Sequence, residues 1–154
     1  MPDTIAVPGV GTPLTDIPLL NAAGATSRLS DEIAGAPAVV FFMRAADCAV
    51  CAGHARALAR MAEAGELRGA RAIVIAPGDA SEAQRASDRI GSPALTVRAS
   101  GDHHADLGLD RFLMLQHSGT FVTDPRGTIL SATTSALPTA SFSAAKVRAA
   151  LGGS

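Results

Sequence analysis

The chain of 154 residues contains no tryptophan, no tyrosine and only five phenylalanines. Little flat aromatic surface is left on which a base or a sugar could stack. Lysine is nearly absent too, with Lys146 standing beside twelve arginines. Thirteen basic residues face fourteen acidic ones for a net charge of −1, so no field draws the chain to nucleic acid or to an anionic membrane. No apolar run approaches the roughly 20 residues of a membrane span. The longest, Ala36 to Met43, contains Pro37 and is strand-sized. The stretch from Met1 to Asp16 has no basic start followed by an apolar run, so it does not read as a secretory signal. A cytoplasmic location is expected.

Cysteine is scarce, and its placement is informative. Cys48 and Cys51 are the only two, three positions apart, which excludes the disulfide framework of a small secreted domain. In a reducing compartment such a pair points to redox or metal chemistry. The rest of the composition is that of a packed protein: 47% of residues are apolar and the mean hydropathy is +0.25. Length and the lack of a linker or repeat predict one domain over residues 1–154.

Gly and Pro divide the chain into short elements. Residues 1–35 are turn-rich, with a small hairpin expected around Leu19-Leu20 and Thr26 to Leu29, and Ser30 capping one turn from Asp31 to Ala34. Pro37 to Met43 is continuously apolar without alternation, which predicts a central strand buried on both faces. A helix follows from Cys48 to Gly65, with Cys51, Ala55, Leu58 and Ala62 as its apolar stripe. Ala70 to Ala76 reads as a second strand, Ser81 to Ile90 as a helix capped by Ser81, and Ala94 to Val97 as a third strand. A short helix or turn is expected from His103 to Leu109. Thr120 to Thr123 and Thr128 to Ala132 flank Asp124-Pro125-Arg126-Gly127, a hairpin turn. Ser141 is expected to cap a last helix, Phe142 to Leu151. Alternating strands and helices followed by a hairpin predict a three-layer α/β fold with a mixed sheet. Phe41, Phe42, Met43 and the stretch Phe112 to Leu115 are expected in its core.

The chemistry is concentrated at Asp47-Cys48-Ala49-Val50-Cys51, where a buried strand feeds a helix. The first helical turn carries free N–H groups and about half a unit of positive charge. A thiolate there is stabilised, and the thiol becomes more acidic. The two-residue spacer sets the second sulfur one turn away, within reach of a disulfide. Exposure at the helix tip favours Cys48 as the attacking sulfur, with Cys51, on the apolar stripe, as the resolving one. The redox reading requires the two sulfurs to lie within bonding reach of one another and open to water, and burial of both side chains would count against it. Asp47 is expected as the helix N-cap, and Arg44 as a cation able to turn toward the sulfur. Other readings use the same sulfurs. Both cysteines could be inert core residues. Zinc needs four ligands, and His54 would supply only a third; otherwise His54 is expected on the surface. His103 and His104 are expected in an exposed turn.

The motif Arg44-x-x-x-Cys48-x-x-Cys51 between strand and helix, together with the order of elements, resembles the thioredoxin fold and, more narrowly, the peroxiredoxin-like AhpC/TSA or redoxin family. Gly11 to Asp31 is similar to that family's N-terminal extension, Ala99 to Leu109 to its strand–Asp–short-helix segment, and Gly119 to Gly127 to its late hairpin. The resemblance implies a thioredoxin-like α/β fold and a thiol-dependent oxidoreductase that reduces peroxides through a dithiol–disulfide cycle. No cofactor and no metal are implied. The electron donor would be a thioredoxin-like protein or a low-molecular-weight thiol, and a homodimer is possible.

Departures accompany the likeness. Laid on the family's Pro-x-x-x-Thr-x-x-Cys site, the peroxidatic position falls on Cys51, the Thr position on Cys48 and the Pro position on Arg44. The family's distant arginine falls near Ser118. Alignment with that site therefore favours Cys51 as attacker, whereas the helix tip and the likeness to thioredoxins favour Cys48. Small or protein disulfides are the alternative substrate. A copper carrier of the Sco type, using Cys48, Cys51 and His117, is a third reading.

Overall fold

The computed structural model describes residues 7–109, 111–112, 115–135 and 140–152, and no side chains from 111 to 116. The continuous apolar run becomes strand β3 (Ala38–Phe42), buried at every position. It pairs in parallel with β4 (Arg71–Ala76), which pairs in parallel with β5 (Thr96–Ala99). On its other side β3 runs antiparallel to β8 (Ser118–Thr123), which forms a hairpin with β9 (Ile129–Ser135). A second hairpin, β1 (Pro18–Leu20) with β2 (Thr26–Arg28), joins the far edge through Leu20 opposite Ala99. The seven-stranded mixed sheet has the order β2-β1-β5-β4-β3-β8-β9.

Two apolar clusters coat this sheet. Alternation along β3 sends Val39, Phe41 and Met43 to one face, where they pack with α2 (Ala49–Glu63), α3 (Ala80–Ile90) and α4 (Ala144–Gly152). Ala38, Val40 and Phe42 point to the other face, under α1 (Leu29–Ile33), Leu107 of a 3-10 helix (His103–Leu107) and the segment around Leu14 and Ile17. The three-layer α/β arrangement matches the expected thioredoxin-like class.

Several boundaries differ from the sequence expectation. Helix α3 is capped by Asp79, whose carboxylate accepts from the N–H groups of Ser81 at 3.0 Å and Glu82 at 3.4 Å, so Ser81 is not its cap. Helix α1 begins at Leu29 after Arg28 rather than from a Ser30 cap. The last helix starts at Ala144, with Ser143 Oγ accepting from Lys146 N–H at 3.2 Å. Ser141 is instead buried, and its carbonyl accepts from the Thr120 hydroxyl at 2.7 Å. The third strand lies two residues later than expected, because pairing with β4 places Thr96 opposite Ile73. An unexpected two-stranded pair, β6 (Arg111–Phe112) with β7 (Leu115–Gln116), lies between the 3-10 helix and β8. The expected core role of Phe112 to Leu115 falls on side chains outside the described residues. The late turn forms as expected: Gly127 N–H donates to Asp124 O at 2.9 Å, and Gly127 takes a φ of 83°.

Candidate active site

Strand β3 ends at Phe42, and Met43 to Asp47 carry the chain to the start of α2. Cys48 is the N-cap of that helix, with extended backbone, and Asp47 is exposed. The cap role expected of Asp47 belongs to the sulfur itself. Cys48 Sγ accepts from Cys51 N–H at 3.3 Å, so an orphan amide of the first turn is satisfied by the sulfur. Cys51 Sγ accepts from Arg44 N–H at 3.4 Å. No disulfide joins the two sulfurs in this structure.

These contacts drive the two thiols apart. Burial pushes Cys48 up, but hydrogen bonds from the Cys51 side chain and N–H, and then the hydrogen bond and charge of Arg44, outweigh it and bring Cys48 below the ordinary thiol value. Burial pushes Cys51 up to about 12, reinforced by the hydrogen bond and charge of Cys48 and opposed by the N–H groups of Arg44 and Ala45. Of the two, Cys48 is the more acidic thiol. The expectation of two sulfurs open to water is not met: both side chains are buried, Cys48 keeping 5% of its surface and Cys51 none.

The structure thus brings Arg44, Cys48 and Cys51 together. The Nε–H of Arg44 is buried with no hydrogen-bond partner. Ser118, one residue beyond the Phe42–Gly119 pair, is also fully buried with an unpartnered hydroxyl. The other candidates are placed differently. Among the described residues no three His, Cys, Asp or Glu side chains are arranged to hold a metal, so Cys48, Cys51 and His117 do not form a copper site, and His54 completes no zinc site. His54 is not a free surface residue either. Its ring lies 5.9 Å from Phe41, edge-on, and 5.4 Å from Phe142. His103 is half-exposed and bonded to Asp106 at 2.8 Å, whereas His104, expected in an exposed turn, is 1% exposed.

Sequence reasoning missed what His104 does. Its Nδ1 lies 2.6 Å from Ser100 Oγ, its Nε2 lies 3.0 Å from Met43 O, and its ring meets Phe42 edge-on at 5.1 Å. Burial lowers its pKa to about 4, opposed by the bond to Met43. No local pattern marks this residue, because its partner Met43 lies 61 positions away.

Comparison with known proteins identifies the family and the fold. The AhpC/TSA family profile matches residues 10–132. The chain belongs to the AhpC/TSA family. As such it is a thiol-dependent oxidoreductase, and thiol-dependent peroxide reduction is the activity that membership supports. No curated protein sequence matches the chain. Among solved structures, reduced Prx3 from Vibrio vulnificus in complex with H2O2 is similar, with a TM-score of 0.79 and 18% identity over 94% of this chain and 99% of that one. Peroxidoxin BcpB from Mycobacterium tuberculosis gives 0.70 and 23% identity over 94% and 96%. The yeast mitochondrial 1-Cys peroxiredoxin, described with a thiol resolving mechanism via glutathione/thioredoxin systems, gives 0.68 and 14% over 95% and 76%. These likenesses show that this AhpC/TSA protein shares the peroxiredoxin fold. No helix among its described residues is long and apolar enough to cross a membrane.

Proposed function

We propose that this AhpC/TSA protein reduces peroxides with Cys48 as the attacking thiolate, Cys51 as the resolving thiol and Arg44 as the cation that favours the Cys48 thiolate. The observation carrying this assignment is the opposed setting of the two sulfurs. Cys48 caps α2 and receives the Cys51 N–H and the Arg44 charge, while Cys51 is sealed beneath it. The Cys48 thiolate attacks one peroxide oxygen; an S–O bond forms, the O–O bond breaks, and the departing oxygen takes a proton to leave as water or an alcohol. Cys48 is now an uncharged sulfenic acid. The negative charge that had helped hold the Cys51 proton is gone, so Cys51 ionises more readily at the moment it is needed. Its sulfur attacks that of Cys48, an S–S bond forms and the hydroxyl leaves as water. An external thiol, from a thioredoxin-like protein or a small molecule, then reduces the disulfide by exchange.

The low exposure of Cys48 favours a two-oxygen peroxide over the bulkier sulfur of a disulfide substrate. Disulfide exchange remains the second reading, because the same split pair of thiols serves it. A cytoplasmic setting, which keeps thiols reduced, and a homodimer complete the proposal. The test compares hydrogen peroxide, glutathione disulfide and insulin as substrates for the wild type, Cys48→Ser and Cys51→Ser. Peroxide consumption that is lost in Cys48→Ser and reduced to a single turnover in Cys51→Ser supports the assignment. The reverse pattern makes Cys51 the attacker, and turnover of disulfides alone moves the activity to the second reading.

A further inference from the structure

The Met43–Arg44 peptide unit is held at both ends. Its carbonyl oxygen accepts from His104 Nε2 at 3.0 Å, and its N–H donates to Cys51 Sγ at 3.4 Å. A trans peptide is planar, with C=O and N–H pointing in opposite directions, so fixing the oxygen fixes the direction of the N–H. The imidazole that holds the oxygen is itself immobile. Met43 O can only accept, so Nε2 carries the hydrogen; in the neutral ring Nδ1 then accepts, and Ser100 donates to it across 2.6 Å. Ser100 is anchored in turn by its own N–H on Ala76 O at 2.9 Å, and the His104 carbonyl accepts from Leu109 N–H at 3.0 Å. Both side chains are buried. The result is a continuous line from Ser100 through His104 and one peptide unit to the second sulfur.

We infer that His104 is a positioning residue for Cys51, keeping the Met43–Arg44 peptide turned so that its N–H stays on the Cys51 sulfur. The inference rests on the assignment of Cys51 as resolving thiol, and it gives that step a device outside the Cys-x-x-Cys motif. The N–H is a better partner for a thiol or thiolate than for a disulfide sulfur. It therefore favours the reduced pair and steadies Cys51 as it becomes the nucleophile.

The amide variants His104→Gln and His104→Asn separate positioning from packing. Both bury one amide in place of the ring, but only Gln reaches as far as Nε2 toward Met43 O. In a glutathione redox buffer, with no peroxide present, His104→Asn is expected to shift the Cys48–Cys51 equilibrium toward disulfide by roughly two- to tenfold, the worth of one net hydrogen bond, and His104→Gln to restore it. Stopped-flow and quenched mass spectrometry should show disulfide formation from the Cys48 sulfenic acid slowed in His104→Asn, with the peroxide-attack step unchanged. Ser100→Ala, the mildest change, should move both readouts in the same direction and serves where an amide variant does not fold. Equal shifts in the Asn and Gln variants, or no shift in any variant, overturn the inference. A wild type that forms the disulfide in the buffer but ignores peroxide defeats the peroxidase assignment and leaves this equilibrium test standing.

Discussion

Replacing Arg44 by methionine keeps much of its aliphatic stem and removes a hydrogen bond and a positive charge from the Cys48 thiolate. A hydrogen bond to a charged group contributes about 1.5–3 kcal/mol. Arg44 is half-buried, so solvent screening argues for the lower end. A loss of about 1.4 kcal/mol means about tenfold less thiolate wherever the thiol form dominates. The remaining thiolate is more basic and so intrinsically more nucleophilic, which recovers about threefold of the tenfold loss. Where the thiol form dominates in both proteins, peroxide attack by Arg44→Met should therefore be about three- to fourfold slower, the quotient of those two factors. At a pH where Cys48 is fully ionised in both proteins the first factor vanishes and the second remains, so the variant should equal or exceed the wild type. The assay is the second-order rate of Cys48 oxidation by hydrogen peroxide in single-turnover mixing from pH 5 to 10, read by mass spectrometry. A ratio of variant to wild-type rates that does not change with pH refutes the electrostatic role of Arg44.

Cys51→Ser should accumulate the Cys48 sulfenic acid and pass to the sulfinic acid under excess peroxide, seen as a gain of two oxygens by mass spectrometry. The pKa of His104 is lowered from 6.5 to about 4 in the folded protein, so the stability its neutral form carries is present above pH 6.5 and is lost as pH falls toward 4. That loss is on the order of 3 kcal/mol, and urea midpoints across this window should fall more steeply for the wild type than for His104→Gln. Gly119→Ala would bring a Cβ to 2.7 Å from Thr134 Cγ2 and 3.1 Å from Thr133 O. The expected cost is about 1–3 kcal/mol, in part relieved by adding Thr134→Ser, and thermal melts of the single and double variants check it.

The parts of this molecule that were legible in its sequence are those with short-range causes. A continuous, strand-length apolar run at Pro37 to Met43 predicts a strand covered on both faces, and β3 is one. The stripe behind Cys48 placed α2 to within a residue or two, and the two cysteines and Arg44 do gather at its start. Local rules failed where two residues compete for one role. Asp79 and Ser81 both suit a helix cap, and the carboxylate, which accepts two N–H groups, takes it. At α2 the helix begins two residues past the acid, at Ala49, so the sulfur of Cys48 caps it and Asp47 faces water. Long-range packing was illegible for a different reason. Nothing near His104 or His54 announces that one will be sealed against Phe42 and the other set between Phe41 and Phe142, because those partners arrive only when the sheet and its helices close.

Cys51 has no exposed surface and sits in the first turn of α2. A bulky maleimide can meet it only in the moments when that turn has opened, so in the Cys48→Ser background its labelling rate counts those openings. In a protein that lacks both indole and phenol fluorophores, that one sulfur is a built-in clock for breathing at the helix start.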